Sequence, residues 1–201
     1  RGFTNDQEGN DLQAQYSYRG SWIKTIFGAD TYEIDQMNTI TITSLATNLS
    51  RSGRVKFTNR SSGSYLYTHV PFQKNWTSTI GLSYNTMDDG LLNVDKVNPK
   101  FGVQGDIIEG LRLRAAAFST TKRLLTFNQT LEPTQIAGFN QLYDDINGAQ
   151  ADILGAGFDA NLTKTIHAGT EFLKRDVNVP ITNRDGIRPA SLIYRDQDER
   201  L

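Results

Sequence analysis

Cysteine, histidine and proline are scarce in this chain. Its 201 residues include no cysteine, two histidines and five prolines. The lack of cysteine excludes a disulfide framework and a thiolate metal site, and two histidines leave little for transition-metal chemistry. We therefore expect no cofactor and no dedicated metal centre.

Long apolar runs and an excess of either charge are also missing. The 21 basic and 22 acidic residues give a net charge of −1, so we expect no nucleic-acid partner. No apolar run approaches the roughly 18 residues that a transmembrane helix needs. The mean hydropathy of −0.47 is low, but a transmembrane barrel also averages polar, because half of its strand residues face the lumen.

The clearest pattern in the sequence is a predicted hairpin at Val97–Thr120. Its second half places apolar residues on one face and arginines on the other, with a period of two: Leu111, Leu113, Ala115 and Ala117 against Arg112 and Arg114. This period predicts a strand rather than a helix. The apolar row would face a core in a soluble sheet and lipid in an outer-membrane barrel.

Other segments repeat this alternation and are joined by short turns or long polar connections. The predicted strands are Asn10–Arg19, Trp22–Ile34, Ser64–Phe72, Trp76–Met87, Ala151–Asn161, Ile166–Arg175 and a final strand that begins SLIYR at Ser191. The predicted short turns are Gly20–Ser21, Gln73–Asn75, Asp88–Gly90 and Leu162–Thr165, with Leu91–Lys96 completing one connection. The predicted long surface loops are Asp35–Ser62, Thr121–Gln150 and Asp176–Ala190. Residues Thr39–Thr43 of the first loop alternate, so a strand extension into this segment is the alternative.

This organisation predicts an all-β fold, an antiparallel up-and-down transmembrane β-barrel. Strands of about nine to twelve residues suit a tilted crossing of the bilayer, with tight turns at one rim and long loops at the other. We expect residues 1–201 to form one partial barrel domain of eight strands and the start of a ninth. The chain starts at Arg1 and ends in a charged DQDERL segment, so we expect a fragment of a larger polypeptide.

Aromatic residues cluster beside two of the short turns. Tyr16, Tyr18 and Trp22 flank the first, and Phe72 and Trp76 flank the second. Amphipathic rings prefer the headgroup boundary, so we interpret the cluster as an interfacial girdle. The alternative is that aromatic residues are simply common in strands.

Two stretches resemble known outer-membrane barrels. The segment VNPKFGVQ, with its return strand LRLRAAAFST, resembles the C-terminal barrel of TonB-dependent-receptor-like proteins. The stretch LEPTQIAGFNQLYDD is similar, more narrowly, to barrels that follow tetratricopeptide repeats in Gram-negative outer-membrane proteins. The resemblance covers about Val97–Arg175 and implies a bacterial outer-membrane location, surrounded by outer-membrane lipid. No plug, TonB-box-like segment or helical repeat is visible in the sequence.

The polar strand faces supply the candidate site residues. We predict that the lumen is lined by Asn85, Gln104, Arg112, Arg114, Asp159 and Glu171. The two arginines could attract an anionic solute, but pairing with Asp159 and Glu171 is the favoured interpretation, because charges inside a barrel need partners or water. His69 and His167 lie on different hairpins and are interpreted as hydrogen-bonded wall residues.

No catalytic motif is present. The run Asp144–Gly148 lacks the spacing and closing glutamate of an EF-hand, so a polar turn is favoured over a loop calcium site. G-x-S-x-G, P-loop, G-x-G-x-x-G and zinc-helix motifs are absent, and we expect no enzymatic activity. An outer-membrane esterase or protease is a remote alternative.

The pattern favours a porin-like barrel that passes, exports or takes up a solute or polymer. One alternative is a TonB-coupled receptor barrel, which needs a plug. Another is a non-conducting anchor whose loops bind a periplasmic or surface protein. The last is a soluble β-sandwich binding module, in which the apolar rows would meet in a core.

Overall fold

A computed structural model describes residues 2–43, 50–88, 92–123, 130–142, 144–183 and 191–200, with side chains through residue 181 and at Arg200. All of its regular elements are strands. They are β1 (Gly2–Arg19), β2 (Lys24–Thr43), β3 (Ser50–Gln73), β4 (Trp76–Asp88), β5 (Asn93–Ile108), β6 (Leu111–Thr121), β7 (Gln135–Ile136), β8 (Phe139–Asn140), β9 (Gln150–Asn161), β10 (His167–Asn183) and β11 (Ser191–Arg200). Across these ranges, no helix could span a membrane.

Nine of the strands form one antiparallel sheet in chain order. Each strand pairs with its neighbour in sequence, except that β6 pairs with β9, because β7 and β8 form a separate two-stranded hairpin. Within the described ranges β1 and β11 do not pair with each other, so the sheet is open. The predicted up-and-down arrangement and the expected nine strands are confirmed.

The predicted central hairpin is present as β5 and β6. Gln104 pairs with Arg114 and Val103 with Ala115 across the two strands. The turn at Glu109–Gly110 places Gly110 at φ 82°, a left-handed conformation that glycine adopts without steric cost.

The two faces of the sheet differ in chemistry. The outward face carries large apolar side chains that are exposed: Leu12, Tyr16, Phe27, Leu66, Ile80, Leu82, Phe101, Leu113, Leu154, Phe158 and Phe172. The inward face carries buried polar residues among aromatic and small ones, including Asp30, Ser83, Asn85 and Lys100. The apolar rows therefore face outward instead of meeting in a core, which is the arrangement of a barrel and not of a sandwich.

The surface loop favoured at Asp35–Ser62 is wrong and its alternative, a strand extension, is confirmed, because both flanking strands continue through the described part of this segment. β2 runs to Thr43, β3 starts at Ser50, and β1 pairs with β2 as far as Gly2. Polar cross-strand contacts hold this extension together, such as the 2.8 Å contact between the Thr41 and Ser52 hydroxyls. Hydrogen bonds from Thr58 and Lys56 lower the pKa of Asp35.

Three other predicted connections need correction. Leu91–Lys96 is not only a connection, since β5 starts at Asn93. The connection at Asp176–Ala190 is shorter than predicted, because β10 continues to Asn183. The loop predicted at Thr121–Gln150 is present, but it is not confined to the surface. Parts of these predictions, including the turn at residues 89–90 and the segment 184–190, lie outside the described residues.

Candidate functional site: a loop folded against the inner wall

The described residues of the connection from Lys122 to Ala149 fold against the inward face of the sheet. Its β7–β8 hairpin contributes Ile136, Ala137 and Phe139, which are almost completely buried. These side chains form one cluster with wall residues that include Tyr67 and Phe118. The loop therefore occupies interior space next to the wall.

The hairpin turn has a backbone conformation that packing must enforce. Ala137 has φ 47° and Gly138 has φ 85°, which suits a two-residue turn with both central residues left-handed. An alanine in this region costs roughly 1–2 kcal/mol. Ala137 stays there with its side chain buried against the wall at Gly102.

The β7–β8 hairpin packs against a row of small residues on the wall. Gly102 on β5 pairs with Ala116 on β6, and Ala116 pairs with Gly155 on β9. A Cβ at Gly102 would lie 2.7 Å from Ile136 Cγ2, and one at Gly155 would lie 2.7 Å from the Phe139 ring. We call these three residues the docking row, since any larger side chain at either glycine would displace the loop.

We expect Gly102→Val to destabilise the docked loop. The added side chain would overlap Ile136 and Ala137, and such overpacking costs about 1–3 kcal/mol. The urea unfolding midpoint of the refolded protein measures the loss. Gly53→Val is the control, because a Cβ at Gly53 meets no atom within 4 Å among the described residues. Equal midpoints for the two variants would contradict docking at this row.

A buried polar network ties the base of the loop to the wall. Arg123 bonds through Nη1 to Asp30 Oδ1, and its Nη2 lies 3.2 Å from Asp30 Oδ2 and 3.3 Å from Glu132 Oε2. The Tyr67 hydroxyl donates to Glu132 Oε1 at 2.6 Å, and Gln141 Nε2 donates to the Tyr67 oxygen at 3.2 Å. We call these five residues the latch. They join β2 and β3 to three separate points of the loop.

The loop also contacts β1. The Leu131 backbone N–H donates to Gln13 Oε1 at 2.9 Å, and Gln15 Nε2 donates to the Leu131 carbonyl at 2.5 Å. Gln15 also donates to the Tyr65 hydroxyl at 3.1 Å. With the docking row on β5, β6 and β9, these contacts spread the loop across most of the inner wall.

The six predicted lumen residues all belong to the inward row by strand register. Arg114 Nε donates to Asp159 Oδ2 at 2.8 Å, and Nη2 lies 3.5 Å from Glu171 Oε2. Its guanidinium also stacks 5.0 Å from the centre of the Phe139 ring. The favoured pairing of Arg114 is confirmed, whereas Arg112 pairs with Asp106, at 2.9 Å. Asn85 lies deeper, beside the loop, and Gln104 pairs with Arg114 in register.

The histidines and the acidic run have structural partners. His69 Nδ1 lies 2.9 Å from the Thr79 hydroxyl, and His167 Nδ1 lies 2.7 Å from Asn161 Oδ1, which confirms their interpretation as wall residues. Asp145 accepts a 2.6 Å hydrogen bond from Arg175. Over the described part of the chain, no group of three or more His, Cys, Asp or Glu residues could hold a metal ion.

The predicted girdle residues lie at the short-turn rim. Tyr16, Tyr18, Trp22 and Phe72 are exposed, and Trp76 is half-buried. The Phe72 and Trp76 rings are 6.3 Å apart. Their positions are compatible with an interfacial role, which remains a prediction.

An antiparallel sheet with an apolar exterior and a polar, loop-filled interior defines the class: the chain has the fold of an outer-membrane β-barrel wall. Among solved structures it is similar to the copper transporter OprC, with a TM-score of 0.67 and 13% sequence identity. The match covers 98% of this chain and 33% of that one, so the chain spans about a third of the transporter's length. This likeness supports the resemblance of Val97–Arg175 to outer-membrane barrels. It gives no support to an attachment to tetratricopeptide repeats.

No family model and no curated protein matches the sequence.

Proposed function

We propose that the chain forms part of an outer-membrane barrel that passes a small polar solute, with the loop at residues 122–149 setting the width of the lumen. The observation that carries this proposal is the loop itself, which packs on the inward face through the docking row and the latch. A segment held against the inner wall narrows any path along it. The proposed role is non-enzymatic.

The outward face supports the membrane setting of this proposal. Large apolar side chains are exposed on eight adjacent strands, from Leu12 on β1 to Phe172 on β10. A soluble protein rarely exposes a contiguous apolar surface of this kind, whereas lipid covers it in a barrel. Outer-membrane lipid is therefore the proposed partner of this face.

Leu82→Lys tests the membrane setting. Leu82 lies in the middle of β4 on the outward face and is 49% exposed. A lysine facing the bilayer midplane costs about 2–4 kcal/mol, so we expect a lower urea midpoint for protein folded in lipid vesicles. Thr41→Lys is the control, because Thr41 lies in the polar extension. A urea midpoint that falls no further for Leu82→Lys than for Thr41→Lys would contradict the lipid-facing assignment.

Copper, the cargo in the name of the structural neighbour, is not part of this proposal. The likeness to OprC concerns the fold, at 13% identity. Both histidines of this chain already bond to wall residues, and the sequence has no cysteine.

The polar extension favours a second candidate, a non-conducting anchor that binds a periplasmic or surface protein. With their extension, β1, β2 and β3 have 18, 20 and 24 residues. A strand needs only about 9–11 residues to cross a bilayer. Bilayer conductance of the full-length protein distinguishes the two candidates. Stable unitary currents, together with a heat-modifiable shift on gels, would support passage. A shifted band without current would support the anchor.

A further inference from the structure

A small polar cavity lies between the inner wall and the loop. It has a volume of about 50 Å³ and is lined by Ser83, Asn85, Lys100, Thr120, Thr121, Lys122, Arg123, Thr130, Glu132, Pro133, Gln141, Leu142 and Asp145. A space of this size holds a few waters or one small ion, since about 10–15 Å³ is enough for a single water.

Lys100 brings a buried positive charge to this cavity. The residue is 5% exposed, and its Nζ donates to the Ser119 carbonyl at 2.7 Å. An ammonium group has three donors, and this contact uses one. No carboxylate in the described part of the chain forms an ion pair with Lys100. A buried charge without a counter-charge is costly.

The carboxylates that line the cavity are engaged elsewhere. Glu132 contacts Arg123 and accepts from the Tyr67 hydroxyl. Asp145 accepts from Arg175. Neither lies within ion-pair distance of the Lys100 ammonium. Glu132, which shares Arg123 with Asp30, acts on Lys100 only at longer range, so no carboxylate of the described residues is in direct contact with this ammonium group.

Two further polar groups without partners line the same cavity. Ser83 Oγ and Asn85 Oδ1 are buried and make no hydrogen bond to the described residues. Ser83 pairs with Asn98, which is two residues from Lys100 on β5, so Ser83 and Lys100 are diagonal neighbours on the inward face. The serine hydroxyl can donate into the cavity, and a half-turn of the Asn85 amide presents its NH₂ group.

We propose that this cavity binds one small monovalent anion, of the size of chloride or formate. Lys100 supplies the charge, and Ser83 and Asn85 supply additional hydrogen bonds. The volume excludes sugars and nucleotides, and the carboxylates of Glu132 and Asp145, which also line the cavity, disfavour a ligand with a second negative charge. This binding site is an addition to the proposed passage of solute.

Crystals of the full-length protein grown with bromide in place of chloride test the site directly. We expect an anomalous peak next to Lys100 Nζ and within hydrogen-bond reach of Ser83, and we expect formate to abolish it by competition. Lys100→Met should remove the peak, because the charge is gone. A peak that is absent at saturating bromide, or that persists in Lys100→Met, would overturn the proposal in favour of a water-filled cavity.

Titration in detergent provides a second readout. We expect Lys100→Met to weaken formate binding by about tenfold or more, and Ser83→Ala to weaken it less. Lys74→Met is the control, since Lys74 lies exposed in the β3–β4 turn. Equal affinities for wild type and Lys100→Met would contradict the site. The measurement involves no flux, so it succeeds or fails independently of solute passage.

Discussion

Excision of the inward loop is expected to raise the unitary conductance of the full-length protein, because a two-stranded ribbon packed on the wall occupies about 10 Å of the space beside it. The variant replaces residues 124–147 with a four-residue Gly-Ser linker. The two ends of the loop are hydrogen-bonded to each other. The Lys122 N–H donates to the Ala149 carbonyl at 2.8 Å, and the Gly148 N–H donates to the Lys122 carbonyl at 2.7 Å. A short linker can therefore close the gap without disturbing β6 or β9.

A second excision serves as the control for this experiment. Shortening the β2–β3 extension by removing residues 39–54 deletes chain of similar length from outside the proposed bilayer crossing. We expect its conductance to equal that of the wild type. If the loop excision left conductance unchanged while the wild type conducted, the loop would not be the constriction. If neither protein conducted, the anchor would be the better account.

Arg123→Met is expected to have the largest effect on stability. The change leaves Asp30, with a side chain 1% exposed, and Glu132, with a side chain 13% exposed, without their shared cation. Removing one partner from a buried ion pair costs about 3–5 kcal/mol. The measurement is urea unfolding of the full-length protein in lipid vesicles, with the heat-modifiable shift in gel mobility as the readout of the folded fraction.

Two matched variants sharpen this test. Arg112→Met removes a guanidinium with a side chain 50% exposed, paired with Asp106, and should cost less than about 1 kcal/mol. The triple variant Asp30→Asn, Arg123→Met, Glu132→Gln removes all three charges and should recover most of the loss, because none of these three positions then carries an unpaired ion. A cost for Arg123→Met no greater than that for Arg112→Met would show that the latch does not stabilise the loop.

The sequence predicts the wall well where one face is apolar. Strands such as β6 and β9 alternate apolar and polar residues, because their outward face is apolar and their inward face is largely polar or small. The extension at Asp35–Ser62 is polar on both faces for much of its length, so its only periodic signal is the short alternation at Thr39–Thr43, and the sequence favours a loop. Its strand character comes from cross-strand polar pairs such as Thr41 with Ser52, and these are visible only once the register is known.

The site was harder to predict than the fold. The segment Ile136–Phe139 contains an Ala-Gly pair between two apolar residues, which is not one of the pairs that mark a two-residue hairpin turn, and its flanking strands are only two residues long. The latch joins Asp30 to Arg123 across 93 positions of sequence, and a single sequence does not reveal that contact. Arg114 was predictable because its partners lie on neighbouring strands at positions set by the alternation.

The docking row has a consequence for the order of assembly. Its three residues come from β5, β6 and β9, so the surface exists only after β9 has paired with β6. The loop precedes β9 in the chain and is synthesised first. Phe139 packs at Gly155 on β9, so its ring can reach its final position only after this pairing, whereas Ile136 packs at Gly102 on β5. The final structure thus requires that the Phe139 ring be kept from other partners until β9 has paired beneath it.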